Sequence, residues 1–183
     1  MLAMASTASA VPIVQYADTV LDFSSQYSSG NWSAQQALGA SNTNAYGDIV
    51  TAWAPSSRDG TLEFLTLGFA TAVYSDGAII RETYGNGFVH QVDVLDLNDT
   101  LHTVWSGTDT ALAGSVSDFQ VIWDTTNFLT RGIKIYVDTS HNMSAWEQID
   151  LVQLTGRTTI PEPGILALIF VGLGGMRFAR RLG

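Results

Sequence analysis

The sequence predicts an all-β fold, a β-sandwich of the jelly-roll type, followed by a short hydrophobic helix at the C-terminus. From Thr61 onward, short segments of alternating apolar and polar residues follow one another, and this period of two is typical of half-buried strands. Polar turn residues separate these segments at short intervals, as in sandwiches and jelly rolls. Between the two terminal segments lie about 150 residues, enough for one domain with a sizeable core. We place this domain at residues 16–156.

The N-terminal part of the domain predicts one strand, one short helix and one long loop. Residues 16–24 are rich in apolar side chains and predict a strand. After a polar turn, residues 33–38 predict one or two helical turns that end at Gly39. The following loop, residues 40–57, is too long for a simple connection in a compact domain, so we expect a function or a ligand there.

The middle of the chain predicts four strands. Residues 62–69 are rich in Leu and Phe, and residues 77–83 contain a pair of isoleucines. Residues 89–97 alternate apolar and polar side chains, and residues 101–105 return after an Asn-Asp turn. The last two segments therefore predict a hairpin.

Three further strands complete the predicted domain. Residues 119–123 and 133–137 have alternating patterns, with a loop between them. A polar loop then leads to the last predicted strand, residues 147–154.

The final stretch, residues 157–183, differs from the strands. Its prolines end the folded part, because proline cannot continue a helix or a strand interior. A helix of about 13 to 17 residues covers roughly 20 to 25 Å, somewhat less than the ~30 Å hydrocarbon core of a bilayer. Residues 164–176 are uncharged and apolar on all sides, and basic residues follow, so we predict a short transmembrane helix there; a buried core helix is the alternative. The flanking residues are Pro161, Glu162, Pro163, Arg177, Arg180 and Arg181.

This C-terminal order of features resembles the PEP-CTERM sorting signal of Gram-negative bacteria that make exopolysaccharide. The resemblance covers about the last 23 residues. It implies that an exosortase-type protease is a partner and cuts near Pro161-Glu162-Pro163. It also implies that the protein is anchored in the inner membrane before processing and then reaches the cell surface or the extracellular matrix.

The start of the chain agrees with export. Ala8-Ser9-Ala10 is a small-x-small sequence, the pattern of a signal-peptide cleavage site. The first basic residue is Arg58, so no positive segment precedes this site. We therefore interpret residues 1–10 as the remnant of a signal peptide that begins upstream; a disordered N-terminal arm is the alternative.

Composition excludes several classes of function. The formal net charge is −9, and a domain this acidic repels nucleic acid. The chain has no cysteine, which excludes a thiol nucleophile and cysteine-rich metal motifs. His-Glu-x-x-His and Gly-x-Ser-x-Gly are also absent. We therefore predict that the protein is not an enzyme.

Two stretches that lie far apart in the sequence carry a second resemblance. Residues 37–53 and residues 146–150 are similar to the galactose-binding-like jelly roll, the superfamily of discoidin domains and many carbohydrate-binding modules. Still more closely, the sequence resembles the scarf domain named from the pappalysin metalloproteases, an accessory domain that also occurs in PEP-CTERM proteins. The segments that carry this likeness are Ala37-Leu38-Gly39-Ala40, Ala52-Trp53-Ala54-Pro55, Arg81-Glu82-Thr83-Tyr84-Gly85-Asn86-Gly87 and Trp146-Glu147-Gln148-Ile149-Asp150.

The galactose-binding-like resemblance implies a structural calcium ion between the early loop and the last strand. Calcium takes six to eight oxygen ligands and accepts carbonyl groups beside carboxylates. The alternative is that these polar residues only form turns or begin a strand. The candidate ligands are the side chains of Asn42, Asp48, Thr51 and Glu147 and the backbone carbonyl groups of Leu38 and Gln148.

A carbohydrate ligand would use aromatic rings for stacking and Arg or His side chains for hydrogen bonds. Tryptophans in a sandwich are more often core residues than binding platforms, which is the alternative here. The candidate ligand-binding residues are Trp53, Arg81, Tyr84 and His141.

Two functions from different classes follow. The first is a calcium-stabilised module that binds extracellular polysaccharide. The second is a structural or protein-interaction component of the matrix without a sugar site. A cleft at the loop end with two exposed aromatic side chains would favour the first.

Overall fold

The computed structural model describes residues 11–160, which contain eight strands and one 3-10 helix. The helix, Ala34–Ala37, lies where the sequence predicts one or two helical turns. The predicted tail begins within the described residues, since Arg157 is the last residue of a strand, but its remainder from Pro161 onward, including the hydrophobic helix, lies outside them, as do the signal-cleavage residues Ala8 and Ala10. Within residues 11–160 no helix has the length and hydrophobicity to cross a membrane. The strands are β1 (Pro12–Tyr16), β2 (Thr19–Phe23), β3 (Leu62–Tyr84), β4 (Val89–Asp96), β5 (Leu101–Ser106), β6 (Ser117–Ile122), β7 (Thr130–Asp138) and β8 (Gln148–Arg157).

The strands form two antiparallel sheets, which confirms the predicted all-β sandwich. Sheet I has the order β1-β8-β3-β6. Sheet II has the order β2-β3-β7-β4-β5. Strand β3 belongs to both, because residues 62–73 pair in sheet II and residues 74–84 pair in sheet I.

Strand β3 is a single strand of 23 residues where the sequence predicts two. Its register shifts between Gly68 and Val73 and again between Ser75 and Gly77. Such shifts mark bulges, which bend a strand and increase its twist. The chain therefore passes from one sheet to the other without a loop.

The first predicted strand, residues 16–24, corresponds to β2, and β1 precedes it as a strand that the sequence did not predict. Strand β1 pairs with β8 in sheet I, and β2 pairs with β3 in sheet II. The change of sheet occurs at the fully buried Ala17, whose N–H donates to the Val152 carbonyl group.

The core lies between the two sheets. Alternation along each strand places one set of side chains inside, as the period of two requires. The core also includes Trp53, which is not on a named strand but pairs with Ile149 through two backbone hydrogen bonds. Fully buried members include Leu65, Leu67, Ile80, Val92, Ile133, Ile135, Ile149, Val152 and Leu154.

The connections gather at two opposite ends of the sandwich. We call one the loop end; it carries residues 24–61, 85–88, 107–116 and 139–147. At the other end lie the hairpin turn at residues 97–100, the connection 123–129, the start of β1 and the end of β8. A turn at the loop end requires glycine at position 85, where φ is +67° and a Cβ atom would lie 2.6 Å from the Trp146 carbonyl oxygen.

Candidate functional site

Hydrogen bonds fasten the long loop, residues 40–57, to the start of β8. The Gln148 amide donates to Asp48 at 2.6 Å and accepts from the Ile49 N–H at 3.1 Å. Asp150 accepts from the Ser41 hydroxyl at 2.6 Å and from a backbone N–H of the loop at 3.3 Å. The two strand residues therefore hold both halves of the loop against sheet I.

The predicted calcium ligands fall into two groups. Asp48 and Gln148 are in direct contact, and Thr51 bonds within the loop to Thr43 at 2.6 Å. Asn42 reaches the same region through its backbone N–H, which donates to Asp150. The Leu38 N–H closes the 3-10 helix by donating to Gln35.

Glu147 forms no side-chain hydrogen bond with these loop residues. It is fully buried, and neither carboxylate oxygen has a hydrogen-bond partner. Burial, with smaller effects of Asp59 and Asp138, raises the pKa of Glu147 to about 9. The alternative for Glu147, a solvated residue that only begins a strand, is therefore wrong, because Glu147 is an interior group.

Among the described residues, no three acidic or histidine side chains are arranged to hold a metal ion. The oxygen atoms near the loop fit calcium only in part. They include the Asp48 carboxylate, the Gln148 amide and the Thr51 hydroxyl, without Glu147.

The four predicted ligand-binding residues do not form one site. Trp53 is wholly buried, and its indole N–H donates to the Ser25 carbonyl group at 3.1 Å. A ring without exposed surface cannot stack on a sugar, so the prediction for Trp53 is corrected: it is a core residue.

The other three residues lie on different parts of the surface. Arg81 forms two hydrogen bonds to Asp118, at 2.6 and 2.8 Å. Tyr84 packs edge-on against Tyr46 with ring centroids 5.4 Å apart. The His141 ring bonds to a backbone carbonyl at the turn after β3, at 2.9 Å. Whether any of them binds a ligand stays a prediction.

A different set of aromatic residues forms a cleft at the loop end. The Tyr27 ring meets Trp32 edge-on at 5.2 Å and Trp146 edge-on at 5.7 Å. Together with Asp48 and Ala54 they line a cavity of about 40 Å³. We call these five residues the aromatic cleft. Tyr27 is 52% exposed, whereas the two tryptophans are half-buried.

The aromatic cleft carries signs of strain. Trp32 has a φ of +52°, which is uncommon for a residue other than glycine. Its backbone is held there by two hydrogen bonds, from its N–H to Val50 and from Ala54 to its carbonyl group. The indole N–H groups of Trp32 and Trp146 are buried without a hydrogen-bond partner. Strain and unsatisfied polar atoms that gather at one place are typical of functional sites.

Sequence reasoning missed Tyr27 and Trp32. Tyr27 lies within the polar segment that predicts a turn, Trp32 follows that segment directly, and Trp146 is outside the predicted ligand-binding set. The available signal for this site in the sequence was a pair of large aromatic residues, one within a polar turn and one directly after it. The 100 or more residues between Trp32 and Trp146 hide their contact from any local pattern.

Comparison with known proteins identifies both a family and a fold. The family described as "Pappalysin-1, SD scarf domain, C-terminal" matches residues 5–162. No curated protein matches the chain in sequence.

Solved structures share the fold. The family 32 carbohydrate-binding module of C. perfringens NanJ, in complex with galactose, is 17% identical, with a TM-score of 0.56 over 78% of this chain and 99% of the module. Chitosan-binding module 1 of a Paenibacillus sp. IK-5 chitosanase/glucanase is 13% identical, with a TM-score of 0.50 over 79% and 93%. Allantoicase from Saccharomyces cerevisiae is 12% identical, with a TM-score of 0.53 over 75% of this chain and 39% of the enzyme. At these identities the likeness establishes the fold alone.

Proposed function

Because the chain belongs to the family of the pappalysin-1 SD scarf domain, an accessory domain by our interpretation, we propose that it is a non-catalytic, exported module that binds extracellular polysaccharide. The observation that carries this proposal is the aromatic cleft at the loop end. Two of the solved structures with this fold are described as a galactose complex and a chitosan-binding module, which favours a saccharide as the class of ligand.

The exposed ring of Tyr27 is the proposed platform for a sugar. It is 52% exposed and is held by edge contacts to Trp32 and Trp146. A ring fixed in this way loses little conformational entropy when a ligand packs on it. Aromatic side chains also provide a large apolar surface against which the C–H face of a sugar ring packs.

The size of the cavity decides which part of the ligand enters. A volume of about 40 Å³ is close to that of one water molecule in the liquid, ≈ 30 Å³. It therefore accepts one substituent, such as a methyl or hydroxyl group, and excludes a whole sugar ring. The ring lies outside on Tyr27 while one substituent enters between the tryptophans.

The charged groups around the aromatic cleft restrict the class of ligand further. Asp48 lines the cavity, and the Arg58 guanidinium lies 5.7 Å from the Trp146 ring centroid while also pairing with Asp59. The formal net charge of the chain is −9. A neutral saccharide avoids the repulsion that an acidic polymer would meet.

The test is a glycan array followed by titration of a bound oligosaccharide. Tyr27→Ala should raise the Kd about tenfold, equivalent to about 1.4 kcal/mol, because the platform is lost. The matched control is Tyr16→Ala on β1, since Tyr16 is 44% exposed and lies outside the cleft. It should leave the Kd unchanged.

If the folded protein binds no glycan on the array, the proposal fails and the alternative, a structural component without a sugar site, takes its place. If Tyr27→Ala and Tyr16→Ala raise the Kd equally, the sugar site does not lie in the aromatic cleft.

We extend the proposal to the terminal segments and to calcium. An exosortase-type protease would process the Pro161-Glu162-Pro163 segment after export, with the protein held in the inner membrane beforehand. Calcium would bind between the loop and the start of β8, held by the Asp48 carboxylate and the Gln148 backbone carbonyl group. The support for it is that Asp48 lies against the start of β8, within 2.6 Å of the Gln148 side-chain amide.

A further inference from the structure

We propose a second saccharide-binding site on the outer face of sheet I, at the end of the sandwich opposite the aromatic cleft. Here a groove of about 400 Å³ crosses β8, β3 and β6. This volume lies within the range of ligand sites, about 300–1,000 Å³, and is about ten times that of the loop-end cavity. The inference rests on the proposed function for its ligand class.

The groove forms because residue 77 of the middle strand, β3, is a glycine. Gly77 pairs with Thr155 on one side and with Ile122 on the other. Neighbouring strands lie about 4.8 Å apart, so the two flanking side chains stand about 10 Å from each other. With no side chain between them, a trough remains. A Cβ atom at Gly77 would lie 3.0 Å from both the Thr155 hydroxyl oxygen and the Val121 carbonyl oxygen.

A bulge places charged groups at one side of this trough. The register of β3 and β8 shifts between Ser75 and Gly77, which leaves Asp76 as the extra residue. Its carboxylate accepts from the Thr155 hydroxyl at 2.9 Å and from Arg157 at 2.7 Å. Bulges often redirect a side chain next to a binding site. The pair is preorganised, and the Arg157 Nε atom remains buried without a partner.

The other side of the trough is aromatic and apolar. The Trp123 indole N–H donates to the Ser75 carbonyl group at 3.2 Å, and the Trp123 backbone N–H donates to Asp76 at 3.1 Å. These two bonds fix Trp123 at the end of the groove, where its half-buried ring packs on one side against the core and leaves part of its surface to the groove. Ile122, which is 72% exposed, extends the apolar surface.

These groups suit an uncharged saccharide segment. A sugar offers C–H faces to Trp123 and hydroxyl groups to the planar polar side chains of Asp76, Arg157 and Gln120. Asp76 and the exposed Asp124 outnumber the single cation of the groove, which disfavours a phosphate or a uronic acid. The groove also ends at β6, an edge strand, so a polymer can enter along its length and need not present a chain end.

Two such sites would make the domain bivalent. Strand β8 runs from Gln148 at the loop end to Arg157 in the groove. At about 3.3 Å per residue this separates the sites by about 30 Å. A short oligosaccharide cannot bridge them, so each site binds its own stretch of polymer and the domain can cross-link two chains.

The test uses the five tryptophans of the full chain, because each gives one indole N–H resonance in an 15N–1H spectrum. The probes are soluble oligosaccharides of galactose and of N-acetylglucosamine, both uncharged. The Trp123 resonance should shift in a saturating manner, and it should do so equally in the Tyr27→Ala variant. Gln120→Ala should raise the Kd reported by Trp123 about fivefold, the effect of losing about one hydrogen bond, without changing the Kd reported by Trp32 or Trp146.

The matched control for Gln120→Ala is Thr103→Ala, since both are exposed polar residues on an edge strand. It should change neither Kd. A Trp123 resonance that stays fixed while Trp32 or Trp146 shifts overturns the second site and leaves the proposed function standing. A Trp123 shift that disappears in Tyr27→Ala also overturns it, because the groove then only senses the cleft. If no tryptophan resonance shifts with any probe, the proposed function fails as well.

Discussion

Glu82 is the residue whose burial has the clearest consequence. It lies fully buried on the inner face of β3, at the loop end, where one of its carboxyl oxygens accepts from the Gly87 N–H at 2.8 Å. Burial first, and then the neighbouring Asp109 carboxyl group, raise its pKa to about 10. Asp109 accepts from the backbone N–H groups of Val89 and Ala111. The second Glu82 oxygen has no hydrogen-bond partner, so the protonated Glu82 is a buried group beside the carboxylate that holds the start of β4 and the loop 107–116.

This pKa makes the stability of the protein depend on pH. The unfolded chain releases the Glu82 proton near pH 4.5, whereas the folded protein keeps it until about pH 10. Between these values the folded state binds more protons, so the free energy of unfolding falls as pH rises. Glu82→Gln removes this dependence. The variant should become more stable than the natural protein by up to about 1.4 kcal/mol per pH unit above pH 5.

Urea unfolding at pH 5, 7 and 9 measures the difference. Val89→Ala, a core change without a titrating group, should lower stability by the same amount at each pH. If the Glu82→Gln and natural curves keep a constant separation, Glu82 does not hold its proton in the folded state.

At the scale of elements, the pattern of alternation determines how much of the fold is predictable. Strands β4, β5, β7 and β8 lie within a few residues of their predicted positions. Most of β7 and the second half of β8 alternate between buried and partly exposed side chains, whereas the middle of β4 and the start of β8 are buried on both faces and were found from their apolar composition. Strand β3 lacks that signal where it changes sheet, at residues 70–76, so it was predicted as two strands. Strand β1 has five residues and no fully buried side chain, so its sequence does not show a recognisable alternation of apolar and polar residues.

The Gln148 side chain holds the loop 40–57 in its position against β8. Gln148 is fully buried and satisfies both Asp48 and the Ile49 N–H. Gln148→Ala leaves these groups unsatisfied and should lower the free energy of unfolding by about 1–3 kcal/mol. The matched control is Gln153→Ala on the same strand, which should change it by less than about 0.5 kcal/mol. Chemical denaturation in chelator measures both.

The same two variants test calcium. If the loop binds the ion, calcium should raise the Tm of the natural protein and of Gln153→Ala, since a ligand bound only by the folded state stabilises it. The rise should be smaller in Gln148→Ala, because the backbone carbonyl group remains but the loop that supplies Asp48 is no longer held. A natural protein with equal Tm values in calcium and in chelator would exclude a stabilising calcium ion, and the effect of Gln148→Ala on stability would remain.

At the scale of the whole molecule, the surface sites could not be predicted residue by residue. The aromatic cleft joins Tyr27 and Trp32 to Trp146, and the groove joins Asp76 and Trp123 to Arg157. The cleft residues come from loops that meet only in the folded sandwich, and the groove residues come from three strands of sheet I that are far apart in sequence. Local periodicity reports which face of a strand is buried, and it contains no information on which distant loops meet.

The shared strand β3 also predicts how the molecule unfolds. Its two halves pair in different sheets, and one core joins both sheets, so neither sheet should unfold without the other.

Val73→Ala tests this at the change of sheet, where Val73 is fully buried. Loss of its buried methyl groups should lower the free energy of unfolding by about 1–3 kcal/mol. Tryptophan fluorescence and far-ultraviolet circular dichroism should show the same shifted midpoint in urea. Val14→Ala, at a valine that is 59% exposed on β1, should leave the midpoint nearly unchanged. Two separate midpoints in Val73→Ala would mean that the sheets unfold independently and that β3 does not couple them.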